Sequence, residues 1–156
     1  MKRLTSVLAI ASMMLGASVA LAAASNAHTA ASVAVVGTRD SSLGTILVAA
    51  NGHTLYLDKA DPKNKSTCTG GCASAWPPLT TSGKPKAKGA AKASDLGTIS
   101  DGGGVKQVTY DGHPLYFFAS DTAAGQTTGQ GQSGFYVVSP SGKSITKSST
   151  GGGYKY

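Results

Sequence analysis

Apolar residues in this chain come in short runs closed by glycine, without the three- and four-residue spacing of an amphipathic helix. Val33-Ala34-Val35-Val36 is stopped by Gly37. Leu43 to Ala50 and His53 to Asp58 read as strands on either side of Asn51-Gly52. An Asn-Gly between two apolar runs predicts a hairpin, because both central residues of the tightest turn need positive φ. The same device returns as Val105–Tyr110, Asp111-Gly112 and His113–Phe118, and a last apolar run spans Phe135-Tyr136-Val137-Val138. No segment predicts a long helix.

The second hairpin repeats the first residue by residue. Gly52-His53-Thr54-Leu55-Tyr56 with Asp61 returns as Gly112-His113-Pro114-Leu115-Tyr116 with Asp121, at a constant offset of 60. A second echo, Leu43-Gly44-Thr45-Ile46 against Leu96-Gly97-Thr98-Ile99, precedes each copy. Such self-similarity indicates two copies of one structural unit. After each aspartate the copies diverge in sequence, yet each loop ends at an aromatic, Trp76 or Phe135, expected as matching core plugs. The boundaries that follow are repeat 1 over 33–81, a flexible linker over 82–94, repeat 2 over 95–141 and a flexible tail over 142–156.

Composition sharpens the class. The 156 residues include 21 glycines and no glutamate, which favours strands and turns over helices. The N-terminus reads as a secretory signal: Lys2 and Arg3, an apolar stretch from Leu4 to Leu21, and small residues suited to cleavage by about residue 24. Ser6, Ser12, Gly16 and Ser18 dilute that stretch below what a membrane span needs. No transmembrane span is expected after cleavage, and the mature chain is expected outside the cytoplasm, secreted or in the cell envelope. Without Lys2 and Arg3, 12 basic residues face 7 aspartates. That balance suits an anionic envelope component as partner, although Lys84, Lys86, Lys88 and Lys92 sit in a Gly/Ala/Pro-rich stretch that reads as solvated linker. Aromatic and basic residues do not alternate, so no specific nucleic-acid interface is expected.

The Tyr-x-x-x-x-Asp spacing resembles a family of bacterial secreted repeat proteins and predicted lipoproteins, often with an aromatic two places after the tyrosine. Tyr116-Phe117-Phe118-Ala119-Ser120-Asp121 fits in full; Tyr56-Leu57-Asp58-Lys59-Ala60-Asp61 has Asp58 at the aromatic place. Gly-His-x-Leu-Tyr and Cys68…Cys72…Trp76-Pro77-Pro78 are similar to that family too. The resemblance spans about 33–141 and implies an envelope or extracellular β-rich repeat. It brings no established activity, and the lipid-attachment cysteine of lipoprotein members is missing.

The candidate site residues are His53, Tyr56, Asp61, His113, Tyr116 and Asp121. Asp on a strand leading into a turn accepts backbone N–H groups, and a buried phenol needs a partner, so each Tyr–Asp pair is expected to staple its own hairpin to the following loop. The alternative is a ligand-facing pair. His53 and His113 follow the turn glycines and are expected to bond their own turns. Together with Tyr and Asp they could instead take copper, zinc or haem iron, though no His-x-x-x-His cluster exists. His28 would chelate copper only if cleavage followed Ala27. Cys68 and Cys72, the only cysteines in an exported chain, are expected to form a structural disulfide; a redox-active pair and metal ligation are the other readings. No nucleophile elbow is present, and Gly102-Gly103-Gly104 is followed by no helix signature, so it is no phosphate loop.

The expectation is therefore a single all-β domain of two hairpin-containing repeats, packed face to face or as one antiparallel sheet. Val33–Val36, Ile46–Val48, Leu55–Leu57, Trp76, Val105, Val108, Leu115–Phe117 and Phe135–Val138 should supply its core. Its expected function is a non-catalytic binding or structural module with no cofactor. A metal- or redox-handling accessory protein is the alternative, and an aspartate-based hydrolase a third.

Overall fold

Strand pairing follows the apolar runs. A computed structural model describes residues 32–100 and 105–147. The expected signal segment, His28, the Gly102–Gly104 run and the end of the tail lie outside the described residues. Strands β1 (Val35–Ser41) and β2 (Gly44–Ala49) form an antiparallel hairpin, with Val36 opposite Ala49. Strands β6 (Leu96–Ser100) and β7 (Lys106–Tyr110) form its counterpart, with Leu96 opposite Tyr110. Strand β4 (Thr80–Thr81) and strand β8 (His113–Pro114) lie along the other side of β7. Strand β3 (Tyr56–Asp58) pairs with β9 (Phe135–Val137). The only α-helix among the described residues is α1 (Gly71–Ala75). No described helix is long and apolar enough to cross a membrane. The fold is all-β, built from three small sheets in place of one continuous sheet.

The strands also revise two details of the repeat. The Leu43–Ile46 echo falls on β2, whereas Leu96–Ile99 falls on β6, the counterpart of β1. The structural equivalents are Gly37-Thr38 and Gly97-Thr98, at the same 60-residue offset as the histidines. The two turns differ as well. Asp111 and Gly112 both have positive φ, 47° and 76°, as a two-residue hairpin turn requires. In the first hairpin only Gly52 is left-handed, at 82°. Ala50 makes that loop one residue longer, so Asn51 keeps negative φ and uses its Oδ1 to accept the His53 N–H at 3.2 Å.

Neither repeat closes a core alone. One cluster joins Val36, Leu47 and Leu55 of repeat 1 to Val108, Tyr110, Leu115 and Val138 of repeat 2. The other joins Ile46, Tyr56 and Trp76 to Tyr116, Phe135 and Val137. The closing segments change places: Val108 N–H donates to the Leu79 carbonyl, and Leu47 N–H to the Val138 carbonyl, both at 2.8 Å. Trp76 and Phe135 stack directly, with ring centroids 3.9 Å apart and planes 4° from parallel. Val33 and Val105, expected in the core, are 41% and 39% exposed, because each precedes its strand and faces no apolar neighbour layer.

The 82–94 segment, expected as a linker, carries β5 (Lys86–Ala87), which runs parallel to β1. Lys86 and Lys88 N–H groups donate to the Ala34 and Val36 carbonyls at 2.9 Å. The lysine side chains themselves are exposed. Tyr110 then ties this segment to the start of the tail: its hydroxyl accepts the Lys92 N–H at 2.8 Å and donates to the Pro140 carbonyl at 2.9 Å.

Gly129 is buried where the aromatic stack leaves no room. A Cβ there would stand 2.7 Å from Trp76 and 2.9 Å from Phe118. Overpacking of this kind costs about 1–3 kcal/mol. Gly129→Ala should therefore lower the free energy of unfolding by that amount, read as a lower denaturant midpoint by tryptophan fluorescence. Gly71→Ala, at an exposed site with nothing within 4 Å and no positive φ, should leave the midpoint nearly unchanged.

Candidate functional site

The two tyrosines meet where the repeats meet. Tyr56 and Tyr116 exchange backbone hydrogen bonds, each N–H donating to the other carbonyl at 2.9 Å. This antiparallel bridge lies on a local two-fold relation between the repeats. Their side chains then cross it. Tyr56 hydroxyl donates to Asp121 Oδ2 at 2.6 Å, and Tyr116 hydroxyl donates to Asp61 Oδ2 at 2.5 Å. The expected within-repeat staples are thus replaced by exchanged ones. The cause is reach: each post-aspartate loop leaves its own hairpin and docks on the turn of the other. Asn64 N–H donates to the Gly112 carbonyl at 2.7 Å, and Gly125 N–H to the Gly52 carbonyl at 2.9 Å.

Both carboxylates are saturated by the same partners. Asp61 Oδ1 accepts the Thr67 N–H and hydroxyl, both at 2.7 Å. Asp121 Oδ1 accepts the Thr128 N–H at 3.0 Å and its hydroxyl at 2.5 Å. Ser66 Oγ stands 2.7 Å from the Tyr116 oxygen, with no counterpart in the other copy. The four side chains are 0–6% exposed. Among the described residues the one ion pair is Lys63–Asp111, at the surface, so neutral donors alone hold the two buried aspartates. Burial, followed by the hydrogen bond to the facing aspartate, pushes both phenols well above the ordinary phenol range. They stay protonated and serve as donors.

Thr67 and Thr128 were not singled out in the sequence, although a threonine six or seven residues after each aspartate was there to be read. The departure at Asp58 has a local account. Its counterpart Phe118 packs on Trp76 at 4.5 Å, whereas Asp58 Oδ1 accepts the Ala60 N–H at 2.9 Å and shapes the turn.

The histidines hold equivalent strand-start positions. His113 pairs with Tyr110 across β7–β8, and the His53 carbonyl accepts the Ala49 N–H at 2.9 Å. His113 Nδ1 is buried without a hydrogen-bond partner, and burial, helped by Lys63, lowers its pKa. Among the described residues no three His, Cys, Asp or Glu side chains stand together as metal ligands. Cys68 and Cys72 are paired as a disulfide, Cα atoms 5.2 Å apart, at the start of α1.

Hydrogen bonds to charged acceptors contribute about 1.5–3 kcal/mol each. Tyr56→Phe and Tyr116→Phe should each destabilise by that amount. The crossed pairing makes a sharper demand on a double-mutant cycle: Tyr56→Phe should couple with Asp121→Asn and be additive with Asp61→Asn. The reverse pattern would restore the within-repeat staple. Alkali supplies another test. The raised phenols keep their protons when the unfolded chain loses them, so stability is full below the ordinary phenol pKa of 10.0 and falls as pH rises above it. Phenolate absorbance from these two residues should emerge only with unfolding; ionisation in the intact fold would contradict the buried bonds.

The comparisons with known proteins agree with this geometry. Residues 37–80 and 97–136 match a family described as a secreted repeat of unknown function, and the two matches together cover more than half of the chain. They open on Gly37 and Gly97, the paired glycines of β1 and β6. No curated protein and no solved structure matches. With one match on each of the two exchanged units, the chain belongs to this family of secreted repeats of unknown function.

Proposed function

We propose that this chain is a non-catalytic binding or structural module of the extracellular space or cell envelope. One observation supports the reading above the others: the polar residues that recur in both repeats are spent on each other. Tyr56, Tyr116, Asp61 and Asp121 are buried and mutually hydrogen-bonded. A general acid or base must reach a proton on its substrate, and these groups have no free face with which to do so. Their work is to tie two hairpins into one rigid body, which leaves the outer surface for recognition. An anionic envelope component remains the partner class that the exposed lysines of 82–94 suit.

The second reading, a metal- or redox-handling accessory protein, draws on the partnerless Nδ1 of His113 and on the cysteine pair. The donor set speaks against the metal version, since among the described residues no third ligand stands by. The five-residue disulfide ring contributes about 2 kcal/mol by chain entropy, a scale that fits a structural staple.

Metal analysis and thiol titration of the purified mature protein test the proposal. The expected result is no stoichiometric copper, zinc or iron, the same after His53→Ala and His113→Ala. The disulfide should persist at reductant levels that reduce exposed redox pairs. Bound metal lost on either histidine substitution, or a disulfide that cycles readily, would favour the second reading.

A further inference from the structure

The duplication built one cavity twice and then gave the copies different linings. In repeat 1 an open cleft of about 560 Å³ is floored by Gly37, Val48 and Ala50 and walled by Gly52 and Lys88-Gly89. In repeat 2 its mate, about 360 Å³, has Gly97, Thr109, Asp111 and Gly112 at the matching positions. Lys63 lines that cleft too and pairs with Asp111 at 3.2 Å, while Asp95 adds a carboxylate with no ion pair among the described residues. The first has an apolar floor and two cations at its rim, Arg39 and Lys88.

Arg39 is the distinguishing residue, since its counterpart in repeat 2 is Ile99. Its guanidinium lies across Gly125, where a Cβ would come within 2.8 Å of Cζ, and beside Gly52. The crossing loop of repeat 2 therefore seats it. Among the described residues it has no ion pair, and Lys63–Asp111 is the one such pair present. A planar guanidinium offers two parallel N–H donors in the spacing a carboxylate accepts. A Cβ on Gly37 would meet Lys88 Cβ and the Val48 carbonyl at 3.9 Å, ordinary contact distance, so a side chain can be added there without a clash. The volume falls within the roughly 300–1,000 Å³ of small-molecule sites.

We propose that this cleft binds a small organic carboxylate, with its apolar body on Gly37, Val48 and Ala50 and its head group on Arg39. Lys88 adds a second positive charge at the rim. The cleft of repeat 2 has Ile99 at the position of Arg39 and its Lys63 is engaged by Asp111, so it offers no free guanidinium to the same ligand, and one repeat binds while the other does not. The inference rests on the reading of the chain as a binding module and names the ligand class and its place.

The test is an amide-shift titration of isotope-labelled mature protein with 2-naphthoate. Saturable shifts are expected at Gly37, Thr38, Gly52 and Gly89, with Gly97 and Gly112 unmoved. The uncharged isostere 2-naphthamide should bind at least about tenfold more weakly, as should naphthoate to Arg39→Gln. Gly37→Val, which fills the cleft, should abolish binding while the spectrum stays dispersed; Ala50→Leu serves if Gly37→Val does not fold. Shifts that fail to saturate, that are equal for the amide, that survive Arg39→Gln or that centre on repeat 2 would overturn the cleft. Naphthoate recovered chemically altered would instead overturn the non-catalytic reading.

Discussion

Two crossed hydrogen bonds, from each tyrosine to the aspartate of the other repeat, are the interaction on which the rest of this structure depends. Each carboxylate lies buried without a cation beside it, so its charge is tolerated only because three donors converge on it. Those donors come from two places: the threonine of its own loop and the tyrosine of the other hairpin. Neither repeat can satisfy its aspartate alone. That requirement makes one domain out of two copies.

The apolar core enforces the same bargain in a different currency of contact. Trp76 and Phe135 close their respective loops, yet each stacks on the other. Leu79 completes the strand edge of repeat 2, and Val138 that of repeat 1. The exchange of strands, loops and side chains follows one local two-fold relation, so polar and apolar parts support a single arrangement. Such agreement between levels is what gives a short, glycine-rich chain one native state. The disulfide between Cys68 and Cys72 adds a local staple to the longer first loop.

Divergence between the copies leaves the shared polar roles of the two-fold lock in place. The tyrosine, aspartate and threonine roles are duplicated, whereas Ile99 stands at the position equivalent to Arg39 and Phe118 at that of Asp58. Repeat 2 contributes the Trp76–Phe118 contact; repeat 1 contributes the basic cleft. The Trp76–Phe118 contact lies between the repeats, so divergence reaches their interface as well as the cleft.

The sequence by itself determined the all-β class, the two hairpins and the membership of His53, His113, Tyr56, Tyr116, Asp61 and Asp121 in one repeated pattern. These follow from local physics: short apolar runs, turn residues with positive φ, and identical spacing. It misplaced the echo before each copy, because Leu43–Ile46 resembles Leu96–Ile99 in letters while strand register makes Gly37 the equivalent of Gly97. Only tertiary structure decided which tyrosine meets which aspartate, since the separations of 65 and 55 residues carry no local signal. The same holds for β5, where a lysine-rich segment that reads as solvated has a backbone bound to β1. Backbone pairing is indifferent to side-chain polarity at an exposed edge, and long-range partners are chosen by the shape of the whole chain.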